Sequence, residues 1–63
     1  MLPHQERVVT EKNELEDKVT KLVAFFETDF FSKIDKDEQE RLKRQSGFMQ
    51  SYLEVLEERI SNF

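Results

Sequence analysis

"LKRQSGFMQSYLEVLEERISNF", residues 42–63, decides the fold. Leu42, Ser46, Met49, Leu53, Leu56, Ile60 and Phe63 recur at alternating steps of four and three. At 3.6 residues per turn such positions form one line down one side of a helix, whereas a strand alternates every second residue. Just upstream, Asp35-Lys36-Asp37-Glu38 offers an N-cap acid with Glu three residues on, a variant of the capping box. Asp37 and Glu38 also suit the positive end of a helix dipole. A helix over about 36–62 is expected.

The first half carries the same period less cleanly. Val8, Leu15 and Leu22 recur every seven residues, Val19 and Phe26 fill the four-residue steps, and Lys12 is the one polar interruption. Pro3 stands where a first helical turn tolerates it. The spacing predicts a helix over about 4–27. Between the helices lies a connector over 28–35, long enough for a single helical turn, whose Phe30, Phe31 and Ile34 are expected to close the end of the core.

Two long helices with a short join lie antiparallel. Setting Val8 opposite Leu56 places Leu15 opposite Met49 and Leu22 opposite Leu42, so one register satisfies both series. The expected fold is all-α, an antiparallel hairpin of two long helices in one domain, 1–63. Four acid-to-base pairs at i,i+4 spacing (Glu14–Lys18, Asp17–Lys21, Asp37–Arg41, Glu40–Arg44) are expected on its outside.

Size limits what the hairpin achieves alone. A chain of 63 residues buries only about 60% of the surface it exposes when unfolded. With no cysteine and a single histidine, His4, neither a disulfide nor a protein-built metal site is expected, and no cofactor motif is present. Association with copies of itself is the staple that remains. Phe48, Tyr52 and Val55 form a second apolar line on the later helix, and Val9, Val23 and Phe25 lie off the main line of the earlier one. Surplus apolar surface of this kind marks an interface, so a helical homo-oligomer is expected.

The longest apolar run, Leu22–Phe26, is far short of the ~20 residues of a membrane span. The first residues lack the basic flank and apolar core of a signal peptide, so a soluble intracellular protein is expected. Fourteen acidic residues against ten basic ones give −4, the wrong sign for non-specific nucleic-acid binding. Glycine-rich phosphate loops, HExxH and calcium-loop spacings are absent, and no carboxylate is isolated among apolar residues, so an enzyme is not expected.

Two groups of side chains remain as binding candidates. Arg7, Lys12, Tyr52 and Arg59 fall near one end of the hairpin in the expected register, with Lys12 opposite Tyr52. Read structurally, these are polar contacts that fix the register; read functionally, they form a pocket around a symmetry axis. Guanidinium groups beside an aromatic ring suit a phosphate-bearing ligand that contains a base. Arg41 and Arg44, flanking Leu42 with Lys43, are the second candidate, or else a solvated face neutralised by Asp17, Asp37 and Glu40. Gly47, beside Ser46 on the core line, reads as a point of close helix approach.

"PHQERVVTEKNELEDKVTKL" (3–22) and "DEQERLKRQSGFMQSYLEVLEERI" (37–60) together resemble the crAss-phage-related small proteins of tailed phages, a family of unknown function. The recurring elements fall on Pro3-His4-Gln5, Arg7-Val8, Glu11-Lys12, Glu14-Leu15, Arg41-Leu42, Gln45, Met49, Tyr52 and Arg59-Ile60. The resemblance implies a phage or prophage origin and a place of action in the host cytoplasm. By analogy with other small phage proteins, the expected function is binding and sequestering a small anionic nucleotide signal, of cyclic-nucleotide or ADP-ribose type, to counter host defence. The alternative is an inhibitor or adaptor that docks on a host or phage protein through Phe48, Tyr52 and Val55. A virion accessory role without a ligand comes third.

Overall fold

A computed structural model describes all residues, 1–63. It contains three helices, α1 (Pro3–Phe25), α2 (Asp29–Ser32) and α3 (Lys36–Ser61), and no strand. The chain enters α1 through half of a capping box, the Gln5 side-chain oxygen accepting from the Leu2 N–H at 3.0 Å. Helix α1 ends two residues before the periodicity predicts, because Thr28 intervenes. Its hydroxyl donates to the Phe25 carbonyl at 2.7 Å and accepts from the Phe31 N–H at 3.3 Å. One side chain thus satisfies the end of α1 and the start of α2. At the start of α3, Asp35 Oδ2 accepts from the Asp37 N–H at 3.2 Å. The expected return bond from Glu38 is replaced by its contact with Arg41 Nε at 2.8 Å.

The connector is fastened to α3 rather than draped over it. Gln39 Nε2 donates to the Phe31 carbonyl at 3.0 Å and to the Ile34 carbonyl at 2.8 Å. Phe31 is buried against Phe25 and Phe26, with ring centroids 5.9 and 5.0 Å away, and the Lys43 ammonium lies 5.7 Å from its centroid. Such aromatic and cation contacts contribute about 0.5–1.5 kcal/mol each. Phe31 and the half-buried Ile34 therefore close the core end as expected. Phe30 does not: it is 73% exposed, because one turn of helix cannot aim two adjacent rings inward.

Helices α1 and α3 pack as the antiparallel hairpin that the spacing predicts. Val8, Leu15, Val19 and Leu56 form the buried cluster, with Met49, Leu53 and Ile60 packed against it. Leu56 alone has no exposed surface. Ser46 is the one buried polar residue, and its hydroxyl accepts from Gln50 Nε2 at 3.0 Å. The result is a rod of 46 × 15 × 13 Å in which six of 63 residues are buried. No helix is long and apolar enough to cross a membrane.

Gly47 is not a point of close approach. A Cβ built there meets nothing within 4 Å, so the residue faces open space beside buried Ser46. Gly47→Ala is accordingly expected to stabilise the chain by about 0.5–1 kcal/mol, through helix propensity alone. Leu56→Ala is expected to cost about 2–5 kcal/mol, enough to unfold much of so small a domain. Urea titration followed by circular dichroism reads both; a destabilising Gly47→Ala would show that the position is crowded after all.

Candidate functional site

Along its outer side α3 bears an open groove of about 640 Å³, lined by Arg41, Arg44, Gln45, Phe48, Met49 and Tyr52. All six lie within four turns of one helix, so a single rigid element sets their spacing. Phe48 is 73% exposed and Tyr52 45% exposed, which leaves both rings free to stack. Gln45 reaches along the groove floor to Met49 Sδ at 3.8 Å.

Guanidinium availability differs along the groove. The molecule contains three ion pairs: Lys12–Glu16 at 2.9 Å, Asp17–Lys21 at 2.9 Å and Glu38–Arg41 at 2.8 Å. Of the four expected pairs only Asp17–Lys21 forms. Arg41 turns to Glu38 one turn back instead of Asp37, and Arg44 takes no carboxylate within 4.0 Å. The expected neutralisation of the cluster by Asp37 and Glu40 is thus incomplete, and Arg44 keeps its planar fork of donors unpaired by any carboxylate.

The structure brings Arg41, Arg44 and Tyr52 together and separates them from Lys12. Lys12 bonds Glu16 on its own helix and feels the charge of Glu57 across the hairpin. Glu57 and Tyr52 are five residues apart on α3, which turns them about 140° away from each other. Lys12 and Tyr52 share a level along the rod but not a side of it. Arg7 lies along a different groove, lined also by Pro3, Glu6, Thr10, Glu11 and Glu14, where three carboxylates surround it. Arg59 stands in the last turn of α3, five turns and about 27 Å along the same side from Arg41. Gln45 and Met49 were not among the expected groove residues. The step of four from Arg41 to Gln45, followed by three to Phe48, is the signal that places Gln45 on that line.

Comparison with known proteins gives one family. The family model described as Sequestin matches residues 2–62, and the chain belongs to that family. No curated protein and no solved structure matches the chain.

Lys12 has a role that fits the register-fixing reading. Its ammonium is held above the ordinary lysine value, chiefly by the hydrogen bond to Glu16; burial opposes this, and the charges of Glu16 and Glu57 add smaller raising contributions. A raised folded-state value means that the stabilisation is fully present below the unfolded lysine value of about 10.4 and is lost as pH rises through the folded one. Wild type should therefore exceed Glu16→Gln, which removes the partner without altering the apolar line, in Tm at neutral pH, with the gap closing only above about pH 10.4. Thermal melts of both proteins between neutral pH and pH 11 check this; a gap that persists unchanged at the alkaline limit would remove the electrostatic explanation.

Proposed function

We propose that the chain is a non-enzymatic phage accessory protein that binds and sequesters a small anionic nucleotide signal, countering host defence. One observation carries the reading: Arg41 and Arg44 share a groove with the exposed rings of Phe48 and Tyr52. Guanidinium groups match phosphate oxygens two at a time, and an exposed ring offers a stacking face to a base. The Sequestin family name points the same way, towards sequestration. Sequestration without turnover needs no acid–base pair and no metal, only a site that outcompetes the signal's receptor.

A second reading has its own support. Phe48, Tyr52 and Val55 are 73, 45 and 51% exposed in one line, a surface on which an inhibitor or adaptor could seat a host or phage protein. The two readings separate by experiment. Calorimetry and thermal shift against cyclic nucleotides and ADP-ribose derivatives should yield a ligand that binds wild type. Arg44→Ala should weaken it by at least tenfold, the loss of a charge-assisted contact of about 1.5–3 kcal/mol. No ligand from the panel, together with a stoichiometric protein captured from host lysate, would replace the first reading by the second.

A further inference from the structure

Helix α3 has a second seam, about a quarter turn round from the one that meets α1. It consists of Arg41, Gln45, Phe48, Tyr52, Val55 and Arg59, at steps of four, three, four, three and four. Its Phe48, Tyr52 and Val55 are exposed, and none of its six positions is acidic in a chain with fourteen acids. The spacing reads identically in both directions. So does the chemistry: a guanidinium at each end, two aromatic rings at the centre, and one uncharged side chain between ring and guanidinium on either side. A stripe with that symmetry is complementary to its own copy laid antiparallel across a two-fold axis at the level of residue 50. Phe48 then faces Tyr52 of the second copy, Gln45 faces Val55, and Arg41 faces Arg59.

The surface area fits that occupant. The chain exposes 5020 Å² at a mass of 7.6 kDa, whereas a compact monomer of this mass exposes about 4300 Å². The excess, about 700 Å², is close to the ~800 Å² that each partner contributes to a standard interface. We propose that the protein is a symmetric dimer through this seam, and that each end of the seam is a composite anion site. Arg41 and Arg44 come from one copy and Arg59 from the other. The ligand half of this proposal rests on the anion binding proposed above and keeps its guanidinium contacts, while it assigns the Phe48 and Tyr52 rings to the contact between copies instead of to a base; the dimer half does not rest on that reading.

The composite site answers a weakness of the single chain. An open groove on one helix leaves a ligand largely in water, while small-molecule sites bury about 70–90% of their occupant. The second copy supplies the missing wall. It also gathers like charges: neither Arg44 nor Arg59 has a carboxylate within 4.0 Å, and only Arg41 has Glu38. An anion between them relieves that repulsion, so ligand binding and dimerisation strengthen each other.

Sedimentation equilibrium of the full chain tests the dimer. The wild type should sediment at twice the monomer mass. Phe48→Glu, which sets a carboxylate against the Tyr52 ring of the second copy on both sides of the axis and lies at a position 73% exposed in the single chain, should be monomeric with its helical circular dichroism retained. A monomeric wild type, or a Phe48→Glu variant that stays folded and dimeric, overturns the interface. In this cysteine-free chain, Gln45→Cys mixed with Val55→Cys should form a disulfide-linked pair on oxidation; preferential self-linking of Gln45→Cys overturns the antiparallel register.

The site is tested with ADP-ribose as the probe. Arg59→Ala and the double variant Arg41→Ala/Arg44→Ala should each remain dimeric and lose at least tenfold in affinity. Equilibrated together one to one, they should recover roughly a quarter of the wild-type sites, because half the dimers are mixed and each mixed dimer has one intact site. Dimeric variants that recover nothing on mixing overturn the shared site. A dimeric wild type indifferent to ADP-ribose overturns the composite site for that ligand class and leaves the interface standing.

Discussion

A helix in a two-helix hairpin can turn only one side toward its partner. That constraint governs this molecule. The side of α3 that meets α1 is spent on Leu56, Met49, Leu53 and Ile60, and Leu56 alone becomes fully buried. Apolar groups of α3 that lie off that side, Phe48, Tyr52 and Val55, are left to solvent by geometry, however hydrophobic they are. The seam stabilises the fold, and by the same act it exposes Phe48, Tyr52 and Val55.

The connector turns that single seam into a defined one. Helices sliding past each other by one turn would still place apolar groups opposite apolar groups, since both series repeat every seven residues. What sets the level is at the end of the rod. Thr28 stops α1, Phe31 wedges under Phe25 and Phe26, and the Gln39 amide holds both the Phe31 and Ile34 carbonyls. Sliding α3 by one turn would break both Gln39 bonds and pull Phe31 from beneath Lys43. Leaving polar groups unmatched costs about 1–3 kcal/mol for each one buried, a large share of the stability of so small a core.

How far the sequence reveals this depends on which coordinate is asked for. Distance along the rod is legible, because a heptad series gives the level of each residue directly: Val8 with Leu56, and the helix ends to within two residues. Direction around the rod is less so. Setting Lys12 opposite Tyr52 uses level alone; the five-residue step from Tyr52 to Glu57 carries the rotation that puts Lys12 on the other flank, beside Glu57. Ion pairs are harder still, since i,i+3 and i,i+4 partners compete at nearly equal energy. Glu38 takes Arg41 from Asp37, and Glu40 does not close on Arg44, which has no carboxylate within 4.0 Å. Phe30 and Phe31 show the remaining limit: a one-turn helix has no period from which to read an inward face.

The charge distribution bears on what such a face can hold. The chain carries −4 overall, yet no acid occupies the line from Arg41 to Arg59. A long polyanion must lie across many acidic side chains to reach those arginines, and it meets the net repulsion of the rod. A ligand of a few phosphates fits within a Debye length of the guanidinium groups, about 8 Å at physiological salt, beyond which the surrounding acids are largely screened. On the function proposed above, the acids that oppose a long polyanion would leave this face to small ones. Selectivity by size would then follow from placing a local cationic cluster on an acidic helix, with no contact dedicated to rejecting the larger competitor.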